Sequence, residues 1–589
     1  MDYLKIFKES RGITDSQYNN IINATCSYSF TKFKDEDRFV LLLNQARNKK
    51  ILIIPDYDAD GIMAGSIAQA GLSLLGFNSS LYYPNMKYGY GLTVDSLHEA
   101  LSLNPGSEVI ITCDNGITAN VGIAEAKRLG MTVLVTDHHP QQGQLPEADV
   151  VVDPSRDDDP YPFKGICGAQ VIYHLLTTYA SLTAPEKYED ILNLGLLAGV
   201  ASIGDSMPML EENRGLVRAS LTFLDSLSDE SMLTYDVYPV GYRNAMNGMI
   251  YLKQKLLSEN KYRAFDEDTY GFYICPMLNA PRRVMGDSKL AFSVFEGAPQ
   301  NTNALYEINE ERKDTTATLF DLVKEQIDVV SPFYFRTTPV ILGASGYAGL
   351  VAGRLTELTM KPSICFSVPS DEIGIPADLS AIIATPESVI SGSGRAPAWY
   401  SITDFLSKWR AANPDGGLKF GGHHQACGVS ISAFALPKFS ADFTRDIEEA
   451  YQIYVADLPD EILKDADINF SIGKEVADAI SLTQVSDIYD LFTFSENIAK
   501  MKPFGQGWPK PVFRFSLNLS QFYTQTIGKE SQHIKLSSKV FPFDVLCWNS
   551  AKEFLSHQGG TVTVFGELSV EEFRGVSRLT LKANDILFV

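Results

Sequence analysis

Residues 51–61 read ILIIPDYDADG, and this stretch decides the fold. Ile51 to Ile54 are four consecutive apolar residues, the pattern of a strand buried on both faces. Pro55 has no N–H to give a ladder and closes the strand. Asp56, Asp58 and Asp60 follow within five positions, and Gly61 frees the backbone before an expected helix over 62–75. Carboxylates this close repel one another unless positive charge sits between them. Hard divalent cations supply that charge and take oxygen ligands. A solvated acidic turn explains the stretch equally well when it is read alone.

Working outward, residues 51–154 alternate strand and helix. Strands are expected at 51–55, 79–84, 108–113, 132–136 and 149–152, with helices at 62–75, 94–102 and 119–129. That alternation predicts an α/β domain with a doubly wound parallel sheet. Open sheets of this kind place their sites beyond the carboxyl ends of the strands. Here those ends carry Asp114-Asn115-Gly116, then Asp137-His138-His139, then Asp153-Pro154. Asp and Asn are ordinary turn formers, so one such end is unremarkable as a loop. Several together, one with paired histidines, point to a metal centre. Further on, the apolar helical run 191–203 ends in Gly204-Asp205, where the aspartate either caps the helix or completes a ligand set.

Composition bounds the reading. A chain of 589 residues exceeds one core, so three or four domains are expected. Seven cysteines without a CxxC argue for reduced thiols in a cytoplasmic protein, against disulfides or a zinc site. Residues 1–11 are polar and mixed in charge, unlike a signal peptide, and no apolar run is long enough for a bilayer. The net charge of -22 argues against polyanion binding by the whole surface, though not by a local basic groove. From Pro511 onward the pattern is all-β, with runs at 512–517, 532–537, 543–548, 561–567 and 577–588. Five strands after a Pro/Gly hinge predict an OB-type barrel, which binds single strands by stacking bases over a basic groove. Phe522, Tyr523, Trp548 and Phe573 are the candidate aromatics, with Arg514, Lys529, Lys535 and Arg574 as candidate cations. For any one of these, a core or solvated role is at least as good a reading. A dimerisation module is the alternative for the whole segment.

These motifs together resemble the DHH phosphoesterase superfamily, and within it the RecJ-type branch of single-strand-specific 5′→3′ exonucleases. Asp56-Tyr57-Asp58-Ala59-Asp60-Gly61, Asp114-Asn115-Gly116, Asp137-His138-His139 and Ser202-Ile203-Gly204-Asp205 match its four motifs in order and spacing. Gly89-Tyr90-Gly91-Leu92 is similar to the family's GYGL, and 276–283, PMLNAPRR, to its PRLNAAGR. Residues 309–313 (NEERK) fit the helix joining two lobes, 392–395 (GSGR) and 420–423 (FGGH) the loops of a DHHA1 domain, and 503–507 (PFGQG) the lead into an OB domain.

The resemblance implies a helical extension at 1–45, a DHH domain at 46–230, a helical linker region at 231–330, a DHHA1 domain at 331–455, and a connecting segment with an OB-like domain at 456–589. It implies two divalent ions, Mn²⁺ or Mg²⁺, on Asp56, Asp58, Asp114, His138 and Asp205. Asp60 either ligates or holds the turn, the second being favoured. Asp137 orients its neighbours, and His139 faces the scissile phosphate. Lys87, Asn279, Arg283, Ser393, Arg395 and His423 are the implied DNA contacts. Single-stranded DNA is the implied substrate, with a role in repair or recombination, a single-strand-binding protein as partner and a monomeric state as further expectations. The sequence departs from the pattern where PNR becomes Pro84-Asn85-Met86-Lys87, leaving Lys87 as the basic residue there. TVAD becomes SIGD, and GGH-AMAAG becomes GGHHQACG at 421–428. With Met86 in place, Ser393 and Arg395 are expected to carry more of the binding of the strand's 5′ end. Two other functions stay open: a small-substrate DHH phosphodiesterase, which usually lacks an OB module, and a non-catalytic scaffold for single strands, whose relatives lose motif carboxylates.

Overall fold

The computed structural model describes residues 3–588, except 29–30, 229–237, 260–264, 327–336, 344, 360, 371, 377–378, 381–387, 458–467, 473–492, 496, 529, 540–542, 557–559 and 574–575. Lys529 and Arg574, and the side chains of His423 and Phe573, lie outside the described residues.

The first sheet has β1 (Lys50–Pro55), β2 (Asn78–Leu81), β3 (Val109–Cys113), β4 (Thr132–Thr136) and β5 (Val150–Val152). Its order is β2-β1-β3-β4-β5, and every pairing is parallel. β1, β3 and β4 are buried almost throughout because helices cover both faces. Ile51 and Ile53 enter the core beneath the helices Ala59–Leu74 and Gly168–Thr183, while Leu52 and Ile54 pack on the opposite side with Leu97 and Ile123.

Two boundaries differ from the sequence reading. The first helix opens at Ala59, not Ile62, because Asp58 caps it and accepts from the N–H groups of Asp60 and Gly61 at 3.1 and 3.2 Å. The apolar run 191–203 divides into helices Tyr188–Asn193 and Gly195–Gly204, the second ending at Asp205.

The 26-residue helix Asn301–Gln326 joins two cores. Leu305 packs into the first lobe, whereas Leu319 and Val323 pack against Val351 and Leu355 of the second. The second lobe holds β6 (Val340–Leu342), β7 (Ser363–Val368), β8 (Val389–Arg395), β9 (Lys419–His423) and β10 (Ala426–Ser432), in order β6-β7-β8-β10-β9. Only β6 and β7 pair in parallel; the rest of this sheet is antiparallel.

The C-terminal sheet has seven strands where five were expected: β11 (Ile468–Ile472), β12 (Phe513–Asn518), β13 (Phe522–Ile527), β14 (His533–Ser538), β15 (Phe543–Cys547), β16 (Thr561–Phe573) and β17 (Val576–Phe588). β13 is an edge strand in which Tyr523 to Thr526 are exposed on both faces, so no alternation announced it. Phe522 is 4% exposed and belongs to the core, so it is no stacking platform. Lys535 is held by Asp544 at 3.0 Å. Tyr523 and Trp548 remain 66% and 51% exposed. The N-terminal helices Tyr3–Ser10 and Asp15–Asn23 pack on this part of the chain: Phe7 meets Trp508 edge-on, and Arg214 bridges the carbonyls of Ile21, Met501, Lys502 and Pro503. No described helix is long and apolar enough to cross a membrane.

Candidate metal centre and nucleic-acid cleft

Parallel topology brings the carboxyl ends of β1, β3 and β4 to one edge of the sheet. β1 delivers Asp56, whose N–H donates to the Cys113 carbonyl at 3.1 Å. β3 delivers Asp114, which has φ +63°, a conformation that asparagine and aspartate tolerate best among side-chain-bearing residues. β4 delivers Asp137, His138 and His139. Asp205 arrives from the end of its helix.

His138 Nε2 lies 3.2 Å from Asp114 Oδ1, 3.4 Å from Asp205 Oδ2 and 3.7 Å from Asp60 Oδ2. Asp56, Asp58 and Asp114 form a second group, with one donor atom of each inside a 4.8 Å span. Asp56 Oδ1, Asp114 Oδ1 and His138 Nε2 are buried and have no hydrogen-bond partner. Buried polar atoms are costly when unpaired. Asp114 belongs both to the Asp56–Asp58 group and to one with His138 and His139, while Asp60, His138 and Asp205 form a third; these donors, three with orphaned buried atoms, fit a pair of hard divalent ions.

The other side chains of the motifs are engaged by protein. Asp60 accepts from the backbone N–H of Gly168 at 2.7 Å and of Ala169 at 2.8 Å, tying the acidic turn to the next helix. Asp137 accepts from the N–H of Ile117, His138 and His139 and from His139 Nδ1 at 2.8 Å. Those bonds turn the far edge of the His139 ring outward, where Tyr90 Oη is 3.3 Å from Nε2. Asn279, an implied DNA contact, accepts from Ala59 N–H through Oδ1 at 3.1 Å and steadies the acidic turn. Sequence reasoning missed Gly168-Ala169, because their role depends on a contact across more than a hundred residues. It also left Asp153 out of the site. Asp153 is fully buried beside Asp137, and burial followed by that charge pushes its carboxyl up to about 8.

Burial, reinforced by mutual repulsion, raises the carboxyls of Asp56, Asp114 and Asp205. Burial lowers His138. It opposes the charged form of His139 as well, but Asp137 more than compensates and lifts His139 to about 10. For the carboxyls the folded pKa exceeds the unfolded one. The folded protein therefore holds protons that the unfolded chain releases above about pH 4. That contribution is full below the unfolded pKa and is lost as pH rises through the folded values. In chelator, the melting temperature should fall as pH is raised from about 5 toward the Asp153 value of about 8. Mn²⁺ binds the deprotonated carboxylates, so the Mn²⁺-induced rise in melting temperature should grow over the same range. A rise independent of pH would count against these carboxyls as the ligands.

In the second lobe, Ser393 and Arg395 lie on β8. Arg283, on the helix Cys275–Val284, donates from Nη1 to the Gly346 carbonyl at 3.0 Å. Burial, with Arg282, Arg312 and Arg395 nearby, pushes Arg283 down to about 9. Lys87 lies in the short helical turn Met86–Tyr88. Its ammonium is 3.3 Å from Glu99 and 4.5 Å from the Tyr88 ring centroid.

A model of the DHH family, N-terminal domain, matches residues 50–199, and the RecJ OB domain matches residues 485–585. The single-stranded-DNA-specific exonuclease RecJ of Haemophilus influenzae is 25% identical over 515 residues, covering 83% of this chain and 78% of its own length. RecJ of Salmonella typhimurium is 24% identical over 574 residues, covering 91% and 87%. The crystal structure of RecJ in complex with Mn²⁺ from Thermus thermophilus superposes with a TM-score of 0.68 at 23% identity, over 99% of this chain and 75% of that one. The resemblance seen in the motifs thus extends over most of the chain, and the fold is that of RecJ: a parallel-sheet DHH domain, a linking helix, a second α/β lobe and a C-terminal OB domain.

Proposed function

We propose that this protein is a metal-dependent 5′→3′ exonuclease that hydrolyses single-stranded DNA to 5′-mononucleotides. The observation that carries the reading is the set of three donor groups linked through Asp114 and His138, in which Asp56 Oδ1, Asp114 Oδ1 and His138 Nε2 are buried without a partner within the protein. The curated relatives named above, single-stranded-DNA-specific exonucleases, support the substrate class.

Asp56, Asp58, Asp114, His138 and Asp205 would hold two ions, Mn²⁺ or Mg²⁺. Bound there, such ions supply a water of lowered pKa and offset the charge that builds on the leaving oxygen. Asp60 and Asn279 hold the acidic turn in place, and Asp137 fixes the ring of His139. The scissile phosphate lies between the first two nucleotides, and the oxygen that leaves it is the 3′ oxygen of the first. His139, whose charged form Asp137 favours and whose Nε2 edge meets Tyr90 Oη, donates the proton that this oxygen takes. Arg283, Ser393 and Arg395 line the opposite wall and engage backbone phosphates. Exposed Tyr523, with Lys539 at 5.1 Å from its ring centroid, and Trp548, edge-on to His533, offer faces for bases of the trailing strand. A single-strand-binding protein as partner and a cytoplasmic, repair or recombination setting fit this activity.

The test is digestion with and without Mn²⁺ of single-stranded DNA labelled at its 5′ end, blunt duplex and a cyclic dinucleotide. The expected result is Mn²⁺-dependent release of labelled mononucleotide from the single strand alone. Preference for the cyclic dinucleotide would assign the site to small substrates, and efficient attack on blunt duplex would refute single-strand specificity.

A further inference from the structure

Directly after β5 stands Asp153, an acid to which the chemistry above gives no role. Val152 pairs with Thr136 of β4, so Asp153 continues the register beside Asp137, and the Asp137 N–H donates to the Val152 carbonyl at 3.1 Å. Residues paired in a parallel ladder send their side chains to the same face, which makes the two carboxyls neighbours. Asp153 is 0% exposed. Its Oδ1 accepts from the Ser155 N–H at 2.6 Å, whereas its Oδ2 is buried with no hydrogen-bond partner.

Asp137 shows the complementary gap. Its Oδ1 accepts from the N–H groups of His138 and His139 and from His139 Nδ1, while among the described residues its Oδ2 accepts from the Ile117 N–H alone. A carboxylate oxygen has room for a second donor. No described lysine or arginine forms an ion pair with Asp153. Arg156, the nearest cation in sequence, is committed to Asp35, Asp158 and the Val151 carbonyl. The charged groups that face Asp153 are Asp137 and His139 from the end of β4 and Asp159 from the loop that follows β5. Two carboxyls sharing a dry site do not both ionise. Burial opposes the charge on each, but His139 more than compensates at Asp137 and holds its carboxyl below the ordinary value. At Asp153, burial and then the charge of Asp137 push the carboxyl up to about 8. The proton thus belongs on Asp153, and an O–H aimed at a carboxylate makes a strong hydrogen bond.

We propose that Asp153 is a positioning residue for the reaction: its carboxyl stays protonated at neutral pH and donates from Oδ2 to Asp137, fixing the carboxylate that holds the ring of His139. The catalytic part of this assignment rests on the exonuclease reading above.

Two substitutions test it. Asp153→Asn keeps an oxygen for the Ser155 N–H and puts an amide N–H, which does not titrate, in place of the O–H. Asp153→Ala has neither. With Mn²⁺ at neutral pH, Asp153→Ala should lower kcat on single-stranded DNA about tenfold to a hundredfold, with KM and Mn²⁺ affinity near wild type, and Asp153→Asn should recover most of the loss. Wild-type kcat should fall as pH rises through about 8, where Asp153 gives up its proton, and Asp153→Asn should hold its kcat beyond that point. Stability gives a readout independent of cleavage. The folded pKa of Asp153 lies above the unfolded one, so the stability it contributes is lost as pH rises through the folded value. In chelator, the melting temperature of Asp153→Asn should therefore gain on wild type between about pH 6 and pH 9. Coincident pH profiles, a melting-temperature difference that does not change with pH, or Asp153→Asn no better than Asp153→Ala at neutral pH would each overturn the assignment. If Asp153→Ala does not fold, the comparison of Asp153→Asn with wild type still decides. If wild type cleaves no single strand, the exonuclease reading has failed, while the melting temperatures still report whether Asp153 holds the proton.

Discussion

His138→Ala and Asp114→Asn should each reduce cleavage of single-stranded DNA by more than about a hundredfold, above the loss expected when only a residue orienting a ligand is removed. Asp114 and His138 each belong to two of the three donor groups and lie 3.2 Å apart. Asparagine is the substitution to use at 114, because it keeps the size of the side chain and tolerates φ +63°, whereas alanine there adds backbone strain of about 1–2 kcal/mol. The folded state should survive. In chelator above neutral pH, Asp114→Asn should melt no lower than wild type, because it removes a buried carboxylate crowded by Asp60, Asp58 and Asp56. The rise in melting temperature on adding Mn²⁺ should shrink in both variants. Cleavage within about tenfold of wild type in either would show that the donor groups are not the catalytic centre.

Gly168→Ala should have a comparable effect without touching any motif residue. A Cβ at 168 would lie 2.5 Å from the Cβ and Oδ1 of Asp114 and 2.7 Å from its Cα, so backbone or ligand must move. The same displacement pulls the Gly168 N–H from Asp60, which it meets at 2.7 Å. The expected cost is about 1–3 kcal/mol of stability from overpacking, with Mn²⁺ affinity down by about tenfold to a hundredfold. Gly215→Ala is the matched control. It lies inside the helix Glu211–Ser226, where a Cβ meets nothing closer than 3.7 Å, so alanine should stabilise by about 0.5–1 kcal/mol and leave Mn²⁺ binding unchanged. Unaltered Mn²⁺ affinity in Gly168→Ala would mean that the contact between this helix and Asp114 does not shape the site.

The sequence alone determined the parallel sheet and the edge on which the donors meet. Ile51–Ile54, 108–113 and 132–136 are apolar runs that only a two-sided core satisfies. Once such strands are parallel, their carboxyl ends must point the same way, so Asp56, Asp114 and His138 converge whatever the connections do. The C-terminal β pattern was legible for the same reason, wherever one face of a strand is buried.

Only the tertiary structure decided what has no period in sequence. β13 is exposed on both faces from Tyr523 to Thr526, so it carries no alternation. Asn279 and Gly168 serve the metal centre through single contacts with Ala59, Asp60 and Asp114, reaching across between about fifty and more than two hundred residues. Lys87 was read by its charge, and only the packed chain shows its neighbour Glu99, presented by the helix Val94–Leu103. The first two helices lie against the hinge before β12 because Phe7 completes an apolar cluster with Trp508 and Phe513 that no local signal announces. Periodicity encodes which face of an element is buried, whereas the identity of the partner on that face is a property of the packed chain.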